Sequence, residues 1–170
     1  MAKSSTKAKG ATKADAANRV IASNRRARHT YAILDTVEAG MVLSGSEVKS
    51  LRHGLVQLAD AYARISDGEA WLEGVHIAPY AFAQGFGSHV PERRRKLLLH
   101  RSEIDRLQAR VVGEQLTLVP LSLYFKDGRA KVELALAKGR QKADKRQAIA
   151  ERDSKREIER ALGRQRKYGA

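Results

Sequence analysis

The chain has 170 residues, a formal net charge of +14 and no cysteine. That length suits one domain with tails, and the lack of thiols excludes disulfides, thiol catalysis and zinc–thiolate sites. Residues 1–28 carry eight Lys/Arg against one acid, Asp15; residues 138–170 carry twelve against five; residues 29–137 carry thirteen of each sign. A neutral core large enough to bury an interior is therefore flanked by two basic ends. Clustered Lys/Arg gain affinity by releasing condensed counterions from phosphates, so the ends look like arms for a polyanion. No apolar run approaches the ~18 residues of a membrane span. The basic N-terminus lacks the apolar stretch of a secretory signal. These features set the expectation of a cytoplasmic protein with no membrane attachment.

Met1 to Ala17 is Lys, Ala, Ser and Thr with one Gly, and is predicted to be a disordered basic arm reaching residue 18. "YAILDTVEAGMVL" is rich in β-formers and reads as two short strands with a bend near Glu38–Gly40. "SGSEVKSLRHG" reads as a short helix. Ser44 and Glu47 have capping-box spacing, Val48, Leu51 and Leu55 mark a buried side, and Gly54 is a natural stop. Lys49 and Arg52 share the outer flank. "DAYARISDGEAWLEGVHI" reads as a hairpin turning at Asp67–Gly68. Ala61, Ala63 and Ile65 face one way, Tyr62 and Arg64 the other, and Trp71 is expected to fill the core.

"AQGFGSHVPERRRK", Ala83 to Lys96, reads as a long loop running into four successive cations and then Leu97–Leu99. Ser102 and Asp105 open a second helix, with Ile104, Leu107 and Val111 on one face and Gly113 at its end. In the last hairpin Val119, Leu121, Leu123 and Phe125 alternate with Ser122 and Tyr124. Asp127–Gly128 turns the chain, and Val132, Leu134 and Leu136 alternate with Lys131 and Glu133. One face is wet and Lys131 lies on it. About six short antiparallel strands and two helices result, and a nearly closed small barrel manages so many edges. Periodicity does not separate an OB-type barrel from other small barrels.

Signs of catalysis are weak. His29, His53, His76, His89 and His100 show no metal-ligand spacing, and no nucleophile motif or phosphate loop is present. His29 closes "NRRARH" and His100 closes "RRRKLLLH"; imidazoles in such settings can contact RNA. Glu47 is accounted for by its cap. Glu38 has no local partner at an obvious spacing, and an acid on a binding surface can accept hydrogen bonds from base amino groups. No carboxylate pair calls for acid–base chemistry. The expectation is a protein without catalysis, metal or cofactor.

From Ala143 to Leu162 the residues are good helix formers with ion pairs at helical spacing. Only Ile149, Ile158 and Leu162 could pack. Each ion pair contributes ~0.2–0.5 kcal/mol against ~1–2 kcal/mol per residue for ordering the backbone. The segment from 138 to 170 is therefore predicted to be unstructured when free. Docked on an acidic surface, about 20 of its residues would make a helix roughly 30 Å long.

"NRRARH", "EAGMVLSGSEVKSLR", "DAYARI", "RKLLLH", "TLVPLSLYFKDGRAKVELALAKG" and "DKR", in that order over Asn24 to Leu162, resemble the signature blocks of the SsrA-binding protein (small protein B, SmpB) family. The resemblance implies a mainly β protein with short helices, built as a six-stranded antiparallel OB-like barrel over 19–137, and a basic tail over 138–170. It implies no catalysis and a monomer. It implies binding to the tRNA-like domain of tmRNA (SsrA RNA) and, with elongation factor Tu, delivery of alanyl-tmRNA to stalled ribosomes for trans-translation. The barrel would stand in for an anticodon arm, and the tail would enter the empty mRNA channel of the small subunit as a helix. By position, the RNA-facing residues would be Asn24, Arg25, Arg26, Arg28, His29, Glu38, Leu98, His100 and Lys131. The tail function would rest on Gly139, Asp144, Lys145 and Arg146, supported by Lys138, Arg140 and Lys142. The chain departs from the pattern at Leu55 and Val56, where a basic residue often follows the glycine. A general RNA-binding OB-fold or ribosome-assembly protein is the competing reading.

Overall fold

The two Asp-Gly dipeptides set the frame. Asp67 and Gly68 have φ of 54° and 71°, and Asp127 and Gly128 have 51° and 74°. Positive φ at both central positions is what a two-residue type I′ hairpin turn demands. They join β4 (Tyr62–Ser66) to β5 (Glu69–Glu73), and β8 (Thr117–Lys126) to β9 (Arg129–Gly139). The remaining strands are β1 (Val20–Ser23), β2 (Tyr31–Met41), β3 (Val56–Gln57), β6 (His76–Ile77) and β7 (Arg95–Leu98). Three short helices complete the set: α1 (Arg25–Thr30), α2 (Gly45–Arg52) and α3 (Arg101–Gly113). The computed structural model describes residues 19–82 and 88–140, with Ser154, Arg156 and Ile158. The expected N-terminal arm, the glycines of "GFG" and, save those three helical and exposed residues, the stretch beyond Arg140 lie outside the described residues.

The protein is mainly antiparallel β. The pairings run β8–β4–β5–β7–β2–β9, and β9 pairs back onto β8, so six strands meet in a cycle with β1 added outside β8. Two seams are short: β4 meets β8 through Ala63 and Leu118, and β2 meets β7 through Gly40 and Met41. Leu72, Leu97, Leu123, Val132, Leu134 and Leu136 fill the interior, with Leu51 and Leu107 closing it from the helices.

Several expectations are corrected. "YAILDTVEAGM" is one strand of 11 residues, because its pairing with β9 runs through Glu38 to Gly40 without a break. Its irregularity is a bulge at Leu34, and such an insertion bends a strand without ending it. Val119 and Leu121 do not share a side with Leu123 and Phe125. A bulge at Leu121 shifts the register, so Val119 and Leu121 join Ala27, Ala135 and Ala137 in a second, outer cluster. That cluster explains α1, which sequence periodicity does not suggest: Ala27 is buried against the strands. Trp71 is only partly buried and lies outside the core, since its neighbours Ala70 and Leu72 take the inner face. Finally, Ser102 and Asp105 do not open α3. The helix begins at Arg101 with His100 as N-cap, and the Glu103 carboxylate accepts from the His100 N–H at 2.8 Å. Asp105 instead pairs with Arg101, one turn away, at 3.0 Å.

The α2 cap is as expected. Ser44 and Glu47 form the reciprocal box, and Gly54 follows the C-cap His53. Leu55, however, is exposed beyond the helix, so Leu51 alone supplies the fully buried contact.

Candidate nucleic-acid interface

The outer face of the layer formed by β2, β9 and β8 has two halves. One is capped by α1. On the other, the side chains of Glu38, Ser122, Tyr124, Lys131 and Glu133 come together because Glu38 pairs with Glu133, Ser122 with Glu133 and Tyr124 with Lys131. Glu38 gains the partners that its local sequence lacks. The Tyr124 hydroxyl donates to it at 2.5 Å, Lys126 reaches it at 3.1 Å and Lys131 at 3.4 Å. The Tyr124 hydrogen bond, followed by those of Lys126 and Lys131, outweighs partial desolvation and holds the carboxyl at about 2. Burial, reinforced by the Glu38 carboxylate, pushes the Tyr124 phenol well up. Glu38 is therefore charged, and Tyr124 remains a neutral donor, at every physiological pH. The acid orients two ammonium groups, and their remaining N–H donors are available to phosphate oxygens.

The same carboxylate borders a groove of about 750 Å³ that Lys131, Leu98 and His100 also line. Leu97 and Ile104 give it an apolar floor, while Arg101 and the Lys96–Glu69 ion pair form its polar side. Leu98 is exposed there. Four of the expected RNA-facing residues thus converge from β2, β7, the start of α3 and β9.

The others sit on or beside α1, at the far half of the layer. Asn24 does not present itself to solvent. Its Oδ1 accepts from the Ala27 N–H at 3.0 Å and its Nδ2 donates to the Leu58 carbonyl at 2.9 Å. With its own N–H bonded to the Leu121 carbonyl at 2.7 Å, it is buried as the cap that fixes the helix. Arg25, Arg26 and Arg28 project outward and His29 is half-buried. Lys138 and Gly139 belong to the end of β9, paired with Ala32 and Tyr31, and the Arg140 N–H donates to the Thr30 carbonyl at 3.0 Å. The chain therefore leaves the domain beside α1. Lys142, Asp144, Lys145 and Arg146 lie outside the described residues.

Two groups escape the sequence reading. Tyr124 and Lys126 are legible only as hairpin residues; their partnership with Glu38 spans 86 and 88 residues. The basic run at 93–96 is not one solvated patch. Arg95 is fully buried and donates to Glu47 at 2.8 Å and to the Val75 and Pro91 carbonyls, each at 2.8 Å. Arg93 reaches the same carboxylate at 2.5 Å. Burial works to raise the Glu47 carboxyl, but Arg93, the Ser44 N–H and Arg95 overcome it and hold it below its ordinary value. This buried ion cluster ties β7 to α2 and so fixes one wall of the groove. Among the described residues no three acids or histidines gather as a metal site, and no helix is long and apolar enough to cross a membrane.

A small antiparallel β domain whose outer layer carries oriented cations, a groove with an apolar floor and charged sides, and an arginine-bearing helix has the construction of a polyanion-binding module. Comparison with known proteins specifies it further: a family model described as SmpB protein matches residues 21–164. An SsrA-binding protein of Frankia casuarinae is 59% identical over 143 residues, covering 84% of this chain and 89% of the relative. The SsrA-binding protein of Mycolicibacterium paratuberculosis is 52% identical over 167 residues, 98% of each chain. A solved structure described as "tmRNA-SmpB: a journey to the center of the bacterial ribosome" aligns with a TM-score of 0.61 and 48% identity, covering 76% of this chain and 94% of that one. The chain belongs to the SmpB family.

Proposed function

We propose that this protein binds the tRNA-like domain of tmRNA and helps deliver alanyl-tmRNA, with elongation factor Tu, to stalled ribosomes for trans-translation. The observation that carries the reading is the convergence of Glu38, Leu98, His100 and Lys131 on one groove, on the same layer that bears the α1 arginines. Phosphates of the folded RNA meet Lys126, Lys131, Arg25, Arg26 and Arg28, which set register. Glu38, charged and held in place, accepts from a base edge. The cycle of six strands, read as an OB-like barrel, supplies the rigid body, and the protein acts as a monomer in the cytoplasm. No step requires catalysis.

The basic stretch after Arg140 is the part that senses the vacant mRNA channel, becoming helical there. Its exit point next to α1 supports a division between an RNA-gripping domain and a ribosome-probing end. The test is truncation after Arg140, which leaves the Tyr31–Gly139 pairing intact. The truncated protein should keep its preference for the tRNA-like domain and lose ribosome rescue. Normal rescue by the truncated protein would overturn the tail assignment.

A further inference from the structure

On the surface beyond α2, away from the groove, three rings form a ladder. His53 stacks on Tyr80 with centroids 5.9 Å apart and planes at 21°, and Tyr80 meets Phe82 at 5.5 Å, tilted by 59°. The Ala78 N–H donates to the Leu55 carbonyl at 3.0 Å, which holds the two segments side by side. The Lys49 ammonium lies 5.3 Å from the Tyr80 centroid, and Arg52 is exposed on the same flank of α2. Phe82 is 83% exposed. A phenyl ring so open contributes little to folding, and here it extends a ladder that cations border. Aromatic faces beside Lys/Arg are how proteins hold unpaired nucleotides: the base stacks and the phosphate is neutralised.

We propose that Phe82, backed by Tyr80 and His53, is a stacking site for one unpaired RNA base, with Lys49 and Arg52 receiving the adjacent phosphate. The proposal rests on the reading of the protein as an RNA binder, but names a second contact on a different surface from the Glu38–Lys131 groove. Trp71, another partly open aromatic ring, is a weaker candidate, because the Arg94 guanidinium already sits 4.8 Å from its ring centroid. An acidic or apolar peptide is the competing occupant of the Phe82 site, and side-chain choice separates the two. Stacking needs an aromatic face, whereas hydrophobic contact needs only area.

The experiment uses the full chain and a single-stranded hexaribonucleotide with 2-aminopurine near its centre, whose fluorescence is quenched on stacking. Binding by the unsubstituted protein should quench it. Phe82→Ala and Phe82→Leu should both lose most of the quench and weaken binding about 5- to 150-fold, the range for one base–aromatic stack. Phe82→Trp should retain it. Lys49→Ala should lower the salt slope by about 0.7, the share of one single-strand phosphate contact. Unchanged quench in Phe82→Ala, or a Leu variant equal to the unsubstituted protein, overturns the proposal. Affinity for the tRNA-like domain, measured on the same samples, reports separately on the proposed function. Its absence in the unsubstituted protein sinks that reading, whereas its persistence beside an unaltered quench in Phe82→Ala sinks only this site.

Discussion

Replacing Glu47 by Gln tests whether the groove wall depends on buried charge. The side chains of Glu47 and Arg95 are both 0% exposed, with Nε to Oε1 at 2.8 Å, and Oε2 accepts from the Ser44 N–H at 2.7 Å. A glutamine keeps the shape but removes the charge, and its amide must point two N–H donors toward groups that are themselves donors. Arg95 is then left as an uncompensated buried cation. Breaking a buried pair from one side costs about 3–5 kcal/mol. With m near 2 kcal/mol/M in urea, the unfolding midpoint should fall by roughly 1.5–2.5 M at unchanged m. The pH dependence has a definite sign. The folded carboxyl is held below its ordinary value, so its stabilising effect is complete above the unfolded pKa of about 4.3 and is lost as pH falls through the folded value. The gap between the two proteins should therefore be full at pH 7 and narrow only in acid. A Gln variant within about 1 kcal/mol of the parent at pH 7 would refute the reasoning, showing that the carbonyls of Val75, Arg93 and Pro91 suffice to hold Arg95.

Lys131→Ala should weaken binding to the tRNA-like domain and reduce the salt slope by about 1, while calorimetry shows little change in Tm, because a half-exposed ion pair contributes only ~0–1 kcal/mol. Tyr124→Phe removes the strongest constraint on Glu38 and should move its titration from about 2 toward the ordinary carboxylate range, read by carbon NMR of the carboxyl. Since the folded pKa is depressed, the Glu38 network is complete above about pH 4.3 and lost through about 2. RNA binding by the parent should consequently show no Glu38-linked change between about pH 5 and 8. Gly74→Ala places a Cβ 2.7 Å from the Asp60 carbonyl oxygen at φ +71°, and urea unfolding should report a loss of at least ~1–3 kcal/mol.

The parts of the fold legible in sequence are those with local causes. Asp67–Gly68 and Asp127–Gly128 dictate their turns, and Ser44 with Glu47 dictates the start of α2, all within four residues. Lys131 can be placed on the wet face because the hairpin register is counted from its turn. What stays hidden has non-local causes. A bulge at Leu121 reverses the sidedness of Val119, and nothing in the alternating pattern marks the extra residue. Helix α1 has a single buried residue, Ala27, so it has no periodicity to read; it exists because Asn24 bridges to Leu58 and Leu121. Arg95 reads as one more cation in a basic run, although it is the most deeply placed of the four. Its burial becomes intelligible only with Glu47, 48 residues away. Glu38 draws attention as an acid without a local partner and Lys131 through its wet face, the family resemblance names both, and the strand pairing supplies the reason they belong together.

The central claim is that a folded RNA is gripped by the β2–β9–β8 layer and its groove, rather than by charge alone. The most direct measurement is competition between the tRNA-like domain of tmRNA and a generic single strand of equal length, across a salt series, on the full chain and on the chain ending at Arg140. Specific recognition predicts that the tRNA-like domain wins at moderate salt in both proteins, and that Lys131→Ala erodes the margin. Equal affinities for the two RNAs, falling together as salt rises, would contradict it.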